Sequence, residues 1–262
     1  MSRQLIAAAA LTALAGAAQP AQAAPTFVEP YLSLVQARPF VASPQDTRSK
    51  DALLAQGGTE SKHALLIGPF FTRSDIPGGD LRTIGGGIGY ASAMNPRHPW
   101  ALGGSFQNTE LDLGTATADF NSWTLNGKYA VWLPEDARKP VVSAFGAYTR
   151  ANGGGQRYDA LVAVDQALGS SLYGTVNLGW ASFDPRGPGG SVDDFAGGLG
   201  LTWTAMPRLS FSADYAFKND VDGQDFWGVA AAYALDRTST LRVGGGKHST
   251  VFANYTAKID LR

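Results

Sequence analysis

The chain has 262 residues, 21 Lys and Arg against 22 Asp and Glu, and no cysteine. Near-zero net charge without a basic stripe excludes a nucleic-acid partner, and the lack of cysteine excludes a disulfide framework and an acylated N-terminal cysteine. With 13 Phe, 9 Tyr and 6 Trp but a mean hydropathy of only −0.09, the apolar residues must be interleaved with polar ones.

The first segment, 1–23, reads as a cleaved secretory signal peptide. Arg3 supplies the positive region, Leu5 to Ala18 is an Ala/Leu run, and Ala21-Gln22-Ala23 is a small-x-small cleavage site. The run is shorter than the roughly 20 apolar residues of a membrane-spanning helix. Residues 24–61 form an irregular N-terminal segment, broken by Pro25, Pro30, Pro39 and Pro44. Thr47 to Ala55 has the marks of a short helix with Ser49 as cap and Gly57 as stop, and Tyr31 to Val35 could form one extra strand. The segment suits either a periplasmic lead-in or a plug in a lumen.

From 62 to 262 the pattern is alternation. Leu209, Phe211, Ala213, Tyr215 and Phe217 are interleaved with Ser210, Ser212, Asp214, Ala216 and Lys218. Successive side chains of a strand point to opposite faces, so one face is apolar and the other polar. The spacing predicts strands over 63–72, 81–93, 99–111, 119–133, 141–151, 156–167, 171–183, 193–205, 208–218, 225–235, 238–247 and 250–261. About twelve strands, an even count, fit an antiparallel up-and-down transmembrane β-barrel, because only helices and closed barrels satisfy every backbone hydrogen bond within lipid. The connections alternate in character. Those around 94–99, 134–140, 168–170, 205–207 and 235–237 carry turn residues, whereas 74–80, 184–191 and 219–224 read as longer loops.

Alternation alone does not say which face is outside, since a soluble ligand-carrying barrel has the same period with the apolar face inward. Two features favour apolar-out. The polar face is rich in small residues, as in the row Asp194, Ala196, Gly198, Gly200, Thr202, Thr204. The aromatic residues Trp100, Trp123, Tyr129, Trp180, Trp203, Tyr215, Trp227 and Tyr233, with Trp132 and Tyr158, gather toward strand ends, where aromatic girdles meet lipid headgroups. Trp132 and Phe252 fall on the polar phase and are expected to point inward. Glycines such as Gly85, Gly87, Gly89, Gly198, Gly200 and Gly244 lie within strands, where they permit bending and close approach.

With the leader, the hairpin series and rows such as Trp123, Leu125, Gly127, Tyr129, Val131 and Leu133, residues 62–262 resemble a bacterial outer-membrane β-barrel of the porin-like superfamily. The resemblance implies export through the periplasm to the outer membrane. Many such barrels end on an aromatic residue; this chain ends Ile259-Asp260-Leu261-Arg262.

Function is then expected in the lumen. The in-phase polar residues are Lys128, Arg157, Asp159, Asp165, Arg208, Asp214, Lys218, Arg242, Lys258 and Asp260. Both signs are present, which argues a weakly selective pore or an interior tied up by ion pairs. The leading expectation is a small passive pore or transporter for small solutes, with lipid as its surroundings and no cofactor. The alternatives are a structural or adhesive barrel with partner-binding loops, a lipid A deacylase-like hydrolase and a soluble periplasmic carrier. Two local motifs are weak. Asp220, Asp222 and Asp225 around Gly223 offer oxygen ligands to calcium, but the bidentate Glu of the standard loop is missing. His248 and Ser249 could act as base and nucleophile only if a turn redirects them, because adjacent strand residues diverge.

Overall fold

The computed structural model describes residues 63–262, apart from 77–78, 93, 96–97, 115, 135–138, 153–154, 170, 185–190, 207, 218–224, 236–238, 248 and 262. The expected signal peptide, the 24–61 segment and its expected helix and strand lie outside the described residues.

Twelve strands form one closed barrel: β1 (His63–Ile76), β2 (Gly79–Ser92), β3 (Trp100–Asp112), β4 (Thr117–Trp132), β5 (Val141–Ala151), β6 (Gln156–Ala167), β7 (Leu172–Asp184), β8 (Val192–Met206), β9 (Leu209–Ala216), β10 (Phe226–Ala234), β11 (Ser239–Gly246) and β12 (Thr250–Leu261). Each pairs antiparallel with its sequence neighbour, and β12 closes on β1 from Leu261↔His63 to Val251↔Arg73. Each expected strand is present, with ends moved by a few residues. The largest change is β1, which runs on to Ile76 and pairs there with Gly79. The loop expected over 74–80 is therefore a continuous hairpin. Asp75 pairs with Asp80 on its outer face, and Arg73 reaches the same carboxylate at 2.9 Å.

The apolar face is the outer one. Ile84, Ile88, Leu102, Phe106, Leu125, Leu199, Leu201, Val229 and Val251 are exposed, while the polar phase is turned inward and largely buried. An apolar belt of this extent far exceeds the few hundred square ångströms a soluble monomer exposes. This arrangement overturns the soluble-carrier alternative, which needs the reverse.

The pairing is irregular at three places: a register shift between Thr204 and Met206 where β8 meets β9, and two others with visible consequences. Register shifts between Ala130 and Trp132 where β4 meets β5, so Val131 and Trp132 both face outward. Trp132 was expected inside; the extra residue of the bulge flips its phase. At the closing seam, the β1–β12 pairing skips Gly68 and Pro69. Pro69 has no N–H to donate, and a Cβ at Gly68 would collide with the carbonyl oxygen of Tyr255.

Strand tilt sets the geometry. Following the pairing once around returns to β1 about 14 residues farther along, which for twelve strands corresponds to a tilt of about 40° and a backbone radius of about 12 Å. Once heights are corrected for this tilt, the ends of the strands divide. At the end away from the termini, β1–β8 rise on average about 10 Å higher than β9–β12.

Candidate functional site: the inner wall

The inner wall is a ladder of hydroxyls, amides and glycines into which a few charged side chains are set. Hydroxyl pairs bridge neighbouring strands: Thr83 with Thr109 at 3.0 Å, Thr124 with Thr149 at 2.9 Å, and Ser74 with Thr250 at 2.8 Å. Gln107, Asn126, Asn177 and Asn254 are buried on the same face. These amides share the phase of the charged residues, which was the signal available for them in the sequence.

The expected lumen residues fall into three groups. Arg157, Asp159, Asp165, Asp214, Arg242 and Lys258 are all buried, and Lys128 is half-buried on the inward phase of β4. Arg208 is not on the inner wall. It lies in the turn before β9, exposed, and its carbonyl accepts a hydrogen bond from Ala234 N–H at 2.9 Å. Residue 208 precedes the first residue of β9, Leu209, so strand alternation does not set its direction. Lys218 lies outside the described residues, as does the side chain of Asp260, whose backbone pairs with Ala64.

Two ion pairs organise this wall. On β6, the Arg157 guanidinium donates to both oxygens of Asp159, with contacts of 2.9–3.0 Å. An i, i+2 pair on one strand shares a face, so this arrangement follows from alternation. With only 5% of Arg157 and 7% of Asp159 exposed, the pair is desolvated, and removing one partner would be costly. On the opposite side, Arg242 of β11 reaches across β10, donates to Ser212 at 2.8 Å and approaches Asp214 at 3.8 Å. It can cross because Gly228, Ala230 and Ala232 present almost no side chain on the inward face of β10. Asp165 accepts from Thr175 at 2.5 Å.

Two inward aromatics explain particular glycines. The ring of Phe70 occupies the space where a Cβ of Gly85 would sit, and that of Phe252 does the same at Gly244. Phe252 was expected inside and is there, 4% exposed, with the Arg242 guanidinium 5.6 Å from its ring centre. Covering a strand glycine with a neighbouring ring compensates for its missing side chain.

The outer aromatics sit at two levels. Trp100, Tyr129, Trp203 and Tyr233 lie near the terminal end of their strands; Trp123, Trp180, Tyr215 and Trp227 lie toward the far end. Ring contacts run along each level, as between Tyr90 and Trp100 at 5.6 Å, and between Trp123, Tyr148 and Tyr158 at 5.1 and 4.9 Å. His63 stacks on Tyr90 and is hydrogen-bonded to its hydroxyl. Above the far level the outward row on β1–β7 changes to Arg73, Asp75, Asp80, Arg82, Asn108, Glu110, Asp112, Asp119, Asn121, Arg150 and Asp184.

The two weak motifs fare differently. Asp225 is engaged by the Lys247 ammonium at 2.6 Å and by the Tyr215 hydroxyl at 3.3 Å. The Lys247 hydrogen bond, the largest cause, holds the Asp225 carboxyl below its ordinary value of 3.8. A cation thus already satisfies this carboxylate; Asp220 and Asp222 lie outside the described residues. Ser249 is exposed in a turn at φ 49°, and His248 lies outside the described residues.

No protein-family model matches the chain, and no curated protein matches it by sequence. Solved structures share its fold. An outer-membrane channel from Pseudomonas putida F1 superposes with a TM-score of 0.59 at 11% identity, over 78% of this chain and 98% of the channel. The translocator domain of the autotransporter NalP from Neisseria meningitidis gives 0.58 at 12% identity, over 94% and 98%. The KdgM porin gives 0.51 at 10% identity, over 75% and 99%. At such identities the likeness is one of fold: the chain is a twelve-stranded barrel of the kind found in outer membranes.

Proposed function

We propose that this chain is a passive outer-membrane pore for small polar solutes, with its termini on the periplasmic side and the inner wall as the path. The observation that carries this reading is the division of the barrel into an apolar, lipid-facing outside and an inside of hydroxyls, amides and paired charges. A wall that only filled space would be better packed with apolar side chains, since buried ion pairs stabilise little or nothing. The near-complete shielding of Arg157, Arg242 and Lys258 from water suits small solutes rather than a wide aqueous channel. The likeness to an outer-membrane channel and a porin agrees with this reading. No step of it uses covalent chemistry.

A second reading, a structural or adhesive barrel, is favoured by one observation: β1–β8 carry polar outward side chains above the far aromatic level. Planar-bilayer recording separates the two. The pore reading predicts discrete conductance steps and swelling of liposomes in a small neutral sugar alcohol. A folded protein that is silent in both assays would leave only the scaffold.

A further inference from the structure

We propose that the half of the lumen away from the termini favours neutral ring solutes rich in hydroxyl groups, the chemistry of simple sugars. An arc of wall hydroxyls meets the hydroxyl edge of the ring, and an opposed arc of methyl groups meets its C–H face. This inference rests on the pore reading above and deepens it by naming the solute class.

Strand register builds the first arc. Thr72, Thr83 and Thr109 are register partners across β1, β2 and β3. Gln107 and Ser122 pair across β3 and β4, and Thr124 and Thr149 across β4 and β5. All lie on the inward face. Corrected for tilt, they fall within about 7 Å of one another in height.

Hydrogen bonding leaves this arc incomplete. Thr83 stands beside Thr72 but bonds to Thr109 at 3.0 Å, and Thr124 bonds to Thr149 at 2.9 Å. Each such pair uses one of its two O–H donors. The Thr72 and Ser122 oxygens have no hydrogen-bond partner among the described residues, although Thr72 is only 4% and Ser122 1% exposed. A buried hydroxyl without a partner is destabilising, and Thr72→Val or Ser122→Ala would remove that cost. Water from the bulk reaches neither oxygen. The partner each requires is therefore a group brought against the arc along the lumen.

The opposed arc is apolar. Thr72 on β1 and Ala181 on β7 stand six strands apart, half-way around the barrel, and differ by about 3 Å in height. Ala181 belongs to a buried cluster with Leu161 and Ala196, against which Phe145 and Phe183 pack. Ala216 on β9, also buried, continues it. The charged groups beside this arc are Arg157 and Asp159, bonded to one another on β6, and Asp194, two residues from Ala196 on β8. A pyranose carries the same division, with hydroxyls around its edge and C–H bonds on its faces. It can replace water at both arcs at once. A zwitterion of equal size must shed hydration from two charges against the methyl groups.

The test uses the protein in liposomes and compares swelling in glucose with swelling in triglycine, a zwitterion of similar size. Glucose should enter faster by about threefold or more, the factor that one net hydrogen bond supplies. Thr72→Val together with Ser122→Ala should bring the ratio to about one and leave triglycine entry unchanged. The same double variant should not lower the urea midpoint of the folded barrel, because neither hydroxyl bonds to the wall. A lowered midpoint would make the two hydroxyls structural and overturn the inference. Triglycine entry as fast as glucose entry or faster, or a ratio unmoved by the double variant, overturns it as well and leaves the pore standing. Entry of neither solute overturns the pore reading, and this inference with it.

Discussion

The wall from β1 to β8 and the wall from β9 to β12 follow one alternating pattern but end differently. On β9–β12 the paired wall stops near the level of Tyr215 and Trp227, and its outer face is apolar nearly to the top. On β1–β8 the strands run on, and the outward residues become Asp, Glu, Arg and Asn. Strand pairing therefore does not mark the edge of the apolar belt; the chemistry of the outward row does. The inner faces differ as well. The tall wall is braced locally by Arg157 and Asp159, whereas the short wall is braced by one long side chain crossing small residues.

Breaking each brace should separate the two walls. Asp159→Ala takes the carboxylate from a buried guanidinium and should cost about 3–5 kcal/mol, read as a lower urea midpoint for the folded barrel. On the short wall, Ala232→Leu fills the space Arg242 crosses and should cost about 1–3 kcal/mol by overpacking. Between these lies a test of the outer faces. Val229→Arg, at mid-height of the apolar belt, should cost about 2–4 kcal/mol in lipid, whereas Asn121→Arg on the tall collar should cost about 0–1 kcal/mol. Equal costs at the two positions would erase the distinction between belt and collar.

The smallest effect concerns the clasp where the short wall ends. Lys247 lowers the Asp225 carboxyl relative to its unfolded value of 3.8. The folded group is more acidic than the unfolded one, so its contribution is present above pH 3.8 and fades as pH falls below it toward the lowered value. Because the pair is partly exposed, Lys247→Met should cost less than about 1 kcal/mol at neutral pH. Its effect should vanish in acid.

How much of this was legible in the sequence depends on what fixes each feature. Twelve strands and their phase follow from alternation, which is local. The Arg157–Asp159 pair follows too, because both residues lie on one strand. The reach of Arg242 to Ser212 and Asp214 does not, since it depends on which strands are neighbours and on the small inward residues of β10. Trp132 was misplaced because a bulge changes phase without a mark of its own. The 74–80 segment looked like a loop because Asp, Pro and Gly are turn residues. In the structure its charges instead form the outer face of a hairpin. The roles of Gly85 and Gly244 needed the rings of Phe70 and Phe252 to be located first.

On the pore reading, lipid touches the outward apolar row and stops at the far aromatic level, with polar residues lining the inside. The chain has no cysteine, so single labelled cysteines can be placed at will. Fluorophores at Ile88, Leu125, Val229, Asp119 and Asn126, with a quencher confined to acyl chains, test the claim directly. Strong quenching at the first three positions and little at Asp119 and Asn126 is the predicted result. Quenching at Asn126 with sparing of Leu125 would put lipid on the opposite face of β4 and rule this arrangement out.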